Sequence, residues 1–132
     1  MAGGAADLGP RAPRRRLLGD LETLGFLFES IAIRDLRVYA QASDARVLQF
    51  RDAAGLEIDA IIESRAGGWM AFEVQLGQRQ IDAAAQTLLR FATKVDTEHI
   101  GPPSTLGVIV STGYAYRRPD GVAVIPIGAL GP

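Results

Sequence analysis

The sequence predicts an α/β fold built on a mixed sheet, and three observations carry the prediction. Residues 46–76 contain three short alternating runs separated by glycine-bearing turns. An amphipathic helical pattern over 78–96 follows the third run. After it, "TLGVIVST" (105–112) is continuously apolar, as a strand covered on both faces is. A helix between two strands normally makes them parallel neighbours through a right-handed crossover. The predicted order is therefore helix, three-strand antiparallel meander, helix, parallel strand, short edge strand, with helices packed on the faces of the sheet.

Each element has its own warrant. Residues 17–41 are helical by pattern, with Leu17, Leu21, Leu24, Phe28 and Ile31 at helical spacing. Gly19 and Gly25 weaken the pattern, so a break near Gly25 is expected to be tolerated. "RVLQFRD" (46–52), "LEIDAIIES" (56–64) and "GWMAFEVQL" (68–76) form the meander. In the 78–96 helix, Ile81, Ala84, Ala85, Leu88, Phe91, Ala92 and Val95 line one face. "RRPDGVAVIPI" supplies a Pro-Asp-Gly turn and a last strand at 122–127, which Pro126 assigns to an edge.

Size and composition narrow the function classes. A chain of 132 residues, 48% hydrophobic, reads as one domain over 17–132 with an adequate core. It follows an Arg-rich flexible arm over 1–16, whose Arg11, Arg14, Arg15 and Arg16 read as solvated. With no cysteine, thiol catalysis, zinc ribbons and disulfide frameworks are excluded. Net charge is −1, and Lys94 is the only lysine among 14 basic residues. Bulk electrostatic adhesion to nucleic acid is thereby disfavoured, and phosphate contacts would rest on local arginines. No apolar run reaches the ~20 residues of a membrane span, and no signal peptide is evident, so a cytoplasmic protein with no membrane contact is expected.

The chemistry concentrates in "FEVQL" (72–76), where Glu73 and Gln75 interrupt an apolar strand. Strand alternation sets Met70, Phe72, Val74 and Leu76 on one face, and Trp69, Ala71, Glu73 and Gln75 on the other. In the preceding strand, Leu56, Ile58, Ala60 and Ile62 share a face, opposite Glu57, Asp59, Ile61 and Glu63. A hairpin loop over 66–68 would set Asp59 opposite Gln75, and one over 64–68 would set it opposite Glu73. Either register gathers Asp59, Glu73 and Gln75 on one face. Two adjacent carboxylates repel unless one keeps its proton or a cation sits between them. An all-oxygen pair suits Mg²⁺, which polarises phosphoryl oxygens and acidifies water. Glu29 has Gly25, Phe26, Ala32 and Ile33 as helical neighbours and no basic partner among them, so it reads as a third carboxylate directed at the sheet.

Plainer readings stand beside these. Glu57 and Asp59 suit the solvent face of an antiparallel strand, Glu73 an ion pair with Arg51 or Arg79, and Glu29 an ordinary helix surface. Trp69 reads as a lid on the core. His99 falls in a loop near "GPP" and carries no assigned role.

"FLFESIAIRDLRVYA", "GLEIDAIIE" and "AFEVQLG", in the order Glu29, Asp59, Glu73-Val74-Gln75, resemble the PD-(D/E)XK nuclease superfamily. More narrowly, they look like the uncharacterised domain that follows the AAA+ module in many bacterial ATP-binding proteins. The resemblance spans roughly residues 20–130. It implies a restriction-endonuclease-like sheet, with Asp59 and Glu73 holding a divalent metal, Mg²⁺ or Mn²⁺, weakly, and with Glu29 assisting. Where the superfamily carries a lysine that activates water, this sequence has Gln75. The loss of one preorganised donor costs about 2.7–4 kcal/mol of transition-state stabilisation. No G-x-x-x-x-G-K-[ST] loop occurs, so the chain resembles the C-terminal piece of such an ATPase, detached from it.

Three functions therefore compete. The leading one is a nuclease-like domain with weak or lost cleavage that contacts nucleic acid or a protein, such as a separate ATPase. The second is an active Mg²⁺-dependent deoxyribonuclease using Asp59, Glu73 and Gln75. The third is an interaction module whose acids are incidental. Strand 122–127 offers an edge for dimerisation.

Overall fold

A computed structural model describes residues 11–95 and 100–130. Helix α1 (Arg11–Ala42) leads into strands β1 (Ala45–Arg51), β2 (Glu57–Ser64) and β3 (Trp69–Gln75). A 3₁₀ turn (Gln78–Gln80) opens α2 (Ile81–Lys94), then β4 (Thr105–Val110), β5 (Tyr116–Arg117), β6 (Ala123–Pro126) and a closing 3₁₀ turn (Ile127–Leu130) follow. The single sheet has the order β1-β2-β3-β4-β6-β5. The meander β1-β2-β3 is antiparallel, β3, β4 and β6 run parallel, and β5 returns antiparallel to β6. The fold is thus mixed α/β, with its two long helices each packed against sheet residues.

Each helix closes one core. Under α2, Ile81, Ala84, Ala85, Leu88 and Phe91 meet Leu56, Ile58, Trp69, Ala71, Val108, Val110, Val122 and Val124. This is the face that the helical spacing of 78–96 predicts. Trp69 lies edge-on to Phe91 at 5.8 Å between ring centroids, and its indole N–H donates to the Gly101 carbonyl at 2.9 Å. It is a core residue with a satisfied polar handle. Under α1, Phe28, Ala32, Leu36 and Ala40 meet Ala60, Ile62, Phe72, Val74 and Ile109. The Phe72 ring passes so close to Gly107 that a β-carbon there would lie 2.8 Å from it. Glycine in the middle of β4 is the room this ring needs.

Several expectations need correction. Helix α1 runs unbroken through Gly19 and Gly25 and starts at Arg11, inside the arm read over 1–16; residues 1–10 and His99 lie outside the described residues. Its contact with the sheet uses Phe28, Ala32, Leu36 and Ala40, whereas Leu17, Leu21, Leu24 and Ile31 stay exposed. Burial follows the i, i+4 stripe that faces the sheet, and a helix longer than its sheet leaves the rest of its apolar positions in solvent. Strand β6 is not the edge. The two-residue β5 covers it, and Pro126 sits at the last residue of β6, opposite Val110 on the β4 side. No helix among the described residues is long and apolar enough to cross a membrane.

The correction that matters most lies in β2. Leu56 and Ile58 pack under α2, but Ala60 and Ile62 pack under α1. Against β1, Leu48 pairs with Ile61 and Phe50 with Ile58, so the single residue Gln49 faces both Asp59 and Ala60. This is a β-bulge, which bends a strand and inverts its alternation. The expectation that Leu56, Ile58, Ala60 and Ile62 share one face fails at this point.

Candidate functional site

The β2–β3 hairpin turns through Arg65, Ala66 and Gly67. Ser64 N–H donates to the Gly68 carbonyl at 2.8 Å and Gly67 N–H to the Ser64 carbonyl at 2.9 Å. Gly67 sits at φ +103°, the left-handed position a three-residue hairpin loop requires. From there the ladder runs Glu63↔Trp69, Ile62↔Met70, Ile61↔Ala71, Ala60↔Phe72. Continued by one step, that register sets Asp59 opposite Glu73, one of the two predicted alternatives.

At that step the backbone ladder gives way to side chains. Bulged β2 stays with β1, pairing Phe50↔Ile58 and Arg51↔Glu57. Across the opening to β3, Val74 N–H donates to Asp59 Oδ2 at 2.8 Å, and Asp59 N–H donates to Glu73 Oε2 at 3.3 Å. Two carboxylates thus take the places of ladder carbonyls. They meet in the gap between separating strands rather than on one continuous sheet face, because the bulge has broken the parity on which the face argument stood.

The electrostatics follow from burial. Glu73 is the one buried charged residue among the described residues. Loss of solvent, then the hydrogen bond and charge of Asp59, push its pKa up to about 9, while the hydrogen bond from Asp59 N–H acts in the opposite direction. Glu73 therefore holds a proton at neutral pH. Glu29 descends from α1 onto the same cluster. Its pKa is raised first by desolvation, then by the charge of Asp59 and a side-chain hydrogen bond with it. No buried side-chain nitrogen or oxygen among the described residues lacks a partner.

The structure thus sets Glu29 and Asp59 at one cleft, with Glu73 hydrogen-bonded to Asp59. Gln75, half-buried, lines an open cleft of about 400 Å³ together with Glu29, Asp59, Glu22, Phe26 and Leu21. Among the described residues, no basic side chain lines it. Arg51, one partner considered for Glu73, pairs instead with Glu57 at 3.0 Å on the solvent side. No three His, Cys, Asp or Glu side chains among the described residues gather as a three-ligand metal site. Sequence reasoning missed Glu22 and Phe26 at the cleft, and it missed the Val74 N–H. One signal for the bulge was present: Ile61, an apolar residue on the face otherwise assigned to Glu57, Asp59 and Glu63.

A family model described as "Domain of unknown function (DUF4143)" matches residues 24–130, a span that contains Glu29, Asp59, Glu73 and Gln75. No curated protein and no solved structure matches the chain.

Proposed function

The chain belongs to the DUF4143 family, and from that premise we propose that it is a nuclease-like domain whose phosphodiester cleavage is weak or lost, retained as a contact module for nucleic acid or for a protein such as a separate ATPase. One observation carries this reading: Glu29 and Asp59 line a cleft with no basic lining side chain among the described residues, Glu73 keeps its proton beside Asp59, and Gln75 stands where the PD-(D/E)XK superfamily that the motifs resemble has lysine.

Such a cleft repels phosphate until a cation neutralises it. Asp59 and Glu73 are the residues that would hold one. Their donors are hard oxygens, and Mg²⁺ binds through one or two carboxylates while keeping its waters, so a third protein ligand is not required. A bound divalent ion would polarise a phosphoryl oxygen and acidify a water. Glu73 would surrender its proton on binding, Gln75 would orient water through its amide, and Glu29 would accept a hydrogen bond at the rim. What Gln75 does not bring is the positive charge that stabilises a developing phosphorane, a deficit of about 10²–10³ in rate.

The test is calorimetric titration with Mn²⁺ at pH 7.5 in two buffers of different protonation enthalpy. Weak binding with proton release, abolished in Asp59→Asn, is expected. In plasmid-nicking assays with Mn²⁺, Gln75→Lys should exceed the wild type and lose its gain when combined with Asp59→Ala. Ready cleavage by the wild type would establish the active-endonuclease reading in its place. No metal binding and no proton release would leave only an interaction module.

A further inference from the structure

Between α1 and the closing 3₁₀ turn, the sheet is left with a hollow of about 250 Å³. Inside, its lining is apolar: Leu36 comes from the helix, Met70 and Phe72 from β3, Ile125 from β6 and Leu130 from the closing turn. Leu36 and Phe72 are sealed. Met70, Ile125 and Leu130 are only half-buried, so the chain's own packing leaves apolar surface uncovered there. The hollow shares no lining residue with the acidic cleft, which lies beside Leu21 to Glu29 of the same helix. Its rim is of another character. Asp35 and Tyr39, one helical turn apart on α1, both line it and both remain open to solvent. Arg34 reaches the Asp35 carboxylate only at 4.0 Å and is itself 74% exposed. Among the described residues no basic side chain lines the hollow, and the last turn of α1 carries none. That helix end adds a partial negative charge of its own.

We propose that this hollow binds a small amine with a single-ring apolar body, the ring inside and the ammonium held between Asp35 and Tyr39. Size sets the body. A cavity of about 150 Å³ suffices for benzene, so the larger volume here takes one ring with a short chain. The aliphatic side chains, the Phe72 ring and the polarisable Met70 sulfur suit an aromatic guest. Charge sets the head group. A carboxylate and the face of a phenol ring both attract a cation, and among the described residues no cation of the protein lines the hollow to compete. An anion would be repelled by Asp35, and a neutral guest would fill the hollow without using its charged rim.

Met70 is one of two methionines in the chain, so methyl-labelled methionine places a magnetic-resonance reporter inside the hollow. Titration of the whole chain with phenethylamine should move the Met70 methyl signal saturably in the millimolar range, as befits a small guest held by one solvent-open charge. Phenethyl alcohol, its neutral counterpart, should bind several-fold more weakly, and phenylacetate more weakly still. Asp35→Asn should weaken phenethylamine several-fold while leaving phenethyl alcohol as it was. Ala129→Phe, at an exposed position on the wall of the hollow, should abolish the shift with all three probes and leave circular dichroism unchanged. A Met70 signal that phenethylamine does not move would overturn the proposal. So would equal affinity for the amine and the alcohol, or a titration indifferent to Asp35→Asn. Binding kept in Ala129→Phe but lost in Glu22→Gln would place the amine in the acidic cleft and refute the hollow as its site.

Discussion

The two ends of the β2–β3 hairpin are built from the same pair of strands to opposite purposes. At the Glu63–Trp69 end the ladder is regular, the turn is tight, and Trp69 is sealed in the α2-side core with its N–H satisfied. At the Asp59–Glu73 end the ladder stops, and two carboxylates, one of them buried and protonated, occupy the positions of backbone carbonyls. A buried acid is a cost unless it is paired. The first end is arranged for stability, and the second retains an expense that folding alone does not require. The contrast marks Asp59 and Glu73 as the place where function is to be sought.

Breaking the stable end should have the largest effect. Trp69→Ala removes an edge-on contact with Phe91 and orphans the Gly101 carbonyl, so it should cost about 3–5 kcal/mol in urea unfolding. Relieving the other end should act in the opposite direction. Folded Glu73 keeps its proton up to about pH 9, whereas an unfolded glutamate loses it near 4.5. The folded state therefore binds the extra proton between those values. The contribution of this group is complete below about pH 4.5 and is lost as pH rises through 9. Glu73→Gln keeps the hydrogen bonding without the titration. Its thermal melts should flatten across that window and exceed wild type by at least ~1 kcal/mol at pH 9. A variant equally pH-dependent would mean that the proton resides elsewhere. The smallest expected effect is at the turn: Gly67→Ala forces a side chain into a left-handed conformation and should cost about 1 kcal/mol without altering that pH profile.

Much of this arrangement is legible in the sequence where a single periodicity governs a whole element. The five buried residues of α2 and the alternation of Trp69, Met70, Ala71 and Phe72 are examples, because one helix or strand there meets one surface. Strand β2 defeats the method, since it changes face in mid-course and no count of alternating residues survives a bulge. Helix α1 defeats it differently. The spacing of Leu17, Leu21, Leu24 and Ile31 is real, but a period specifies the geometry of a partner and not which partner it is. Strand β5, two residues long, carries too little pattern to be read. The Asp59–Glu73 pairing was within reach because register follows from hairpin loop length. The cleft residues Glu22 and Phe26 were not, because their placement depends on where α1 crosses the sheet.

The bulge at Asp59 also has a genetic meaning. One residue separates this strand from an uninterrupted one: without residue 59, Ile58 and Ala60 would alternate normally and the ladder could run on past Phe72. A single-codon deletion would therefore erase the acidic cluster while mending the sheet, and the matching insertion would recreate it. Within a lineage, the site is open to loss or gain by one in-frame step that improves packing in one direction and chemistry in the other. Homologous chains that differ in length by one residue in this strand should accordingly differ in whether Glu73 has an Asp59 counterpart beside it.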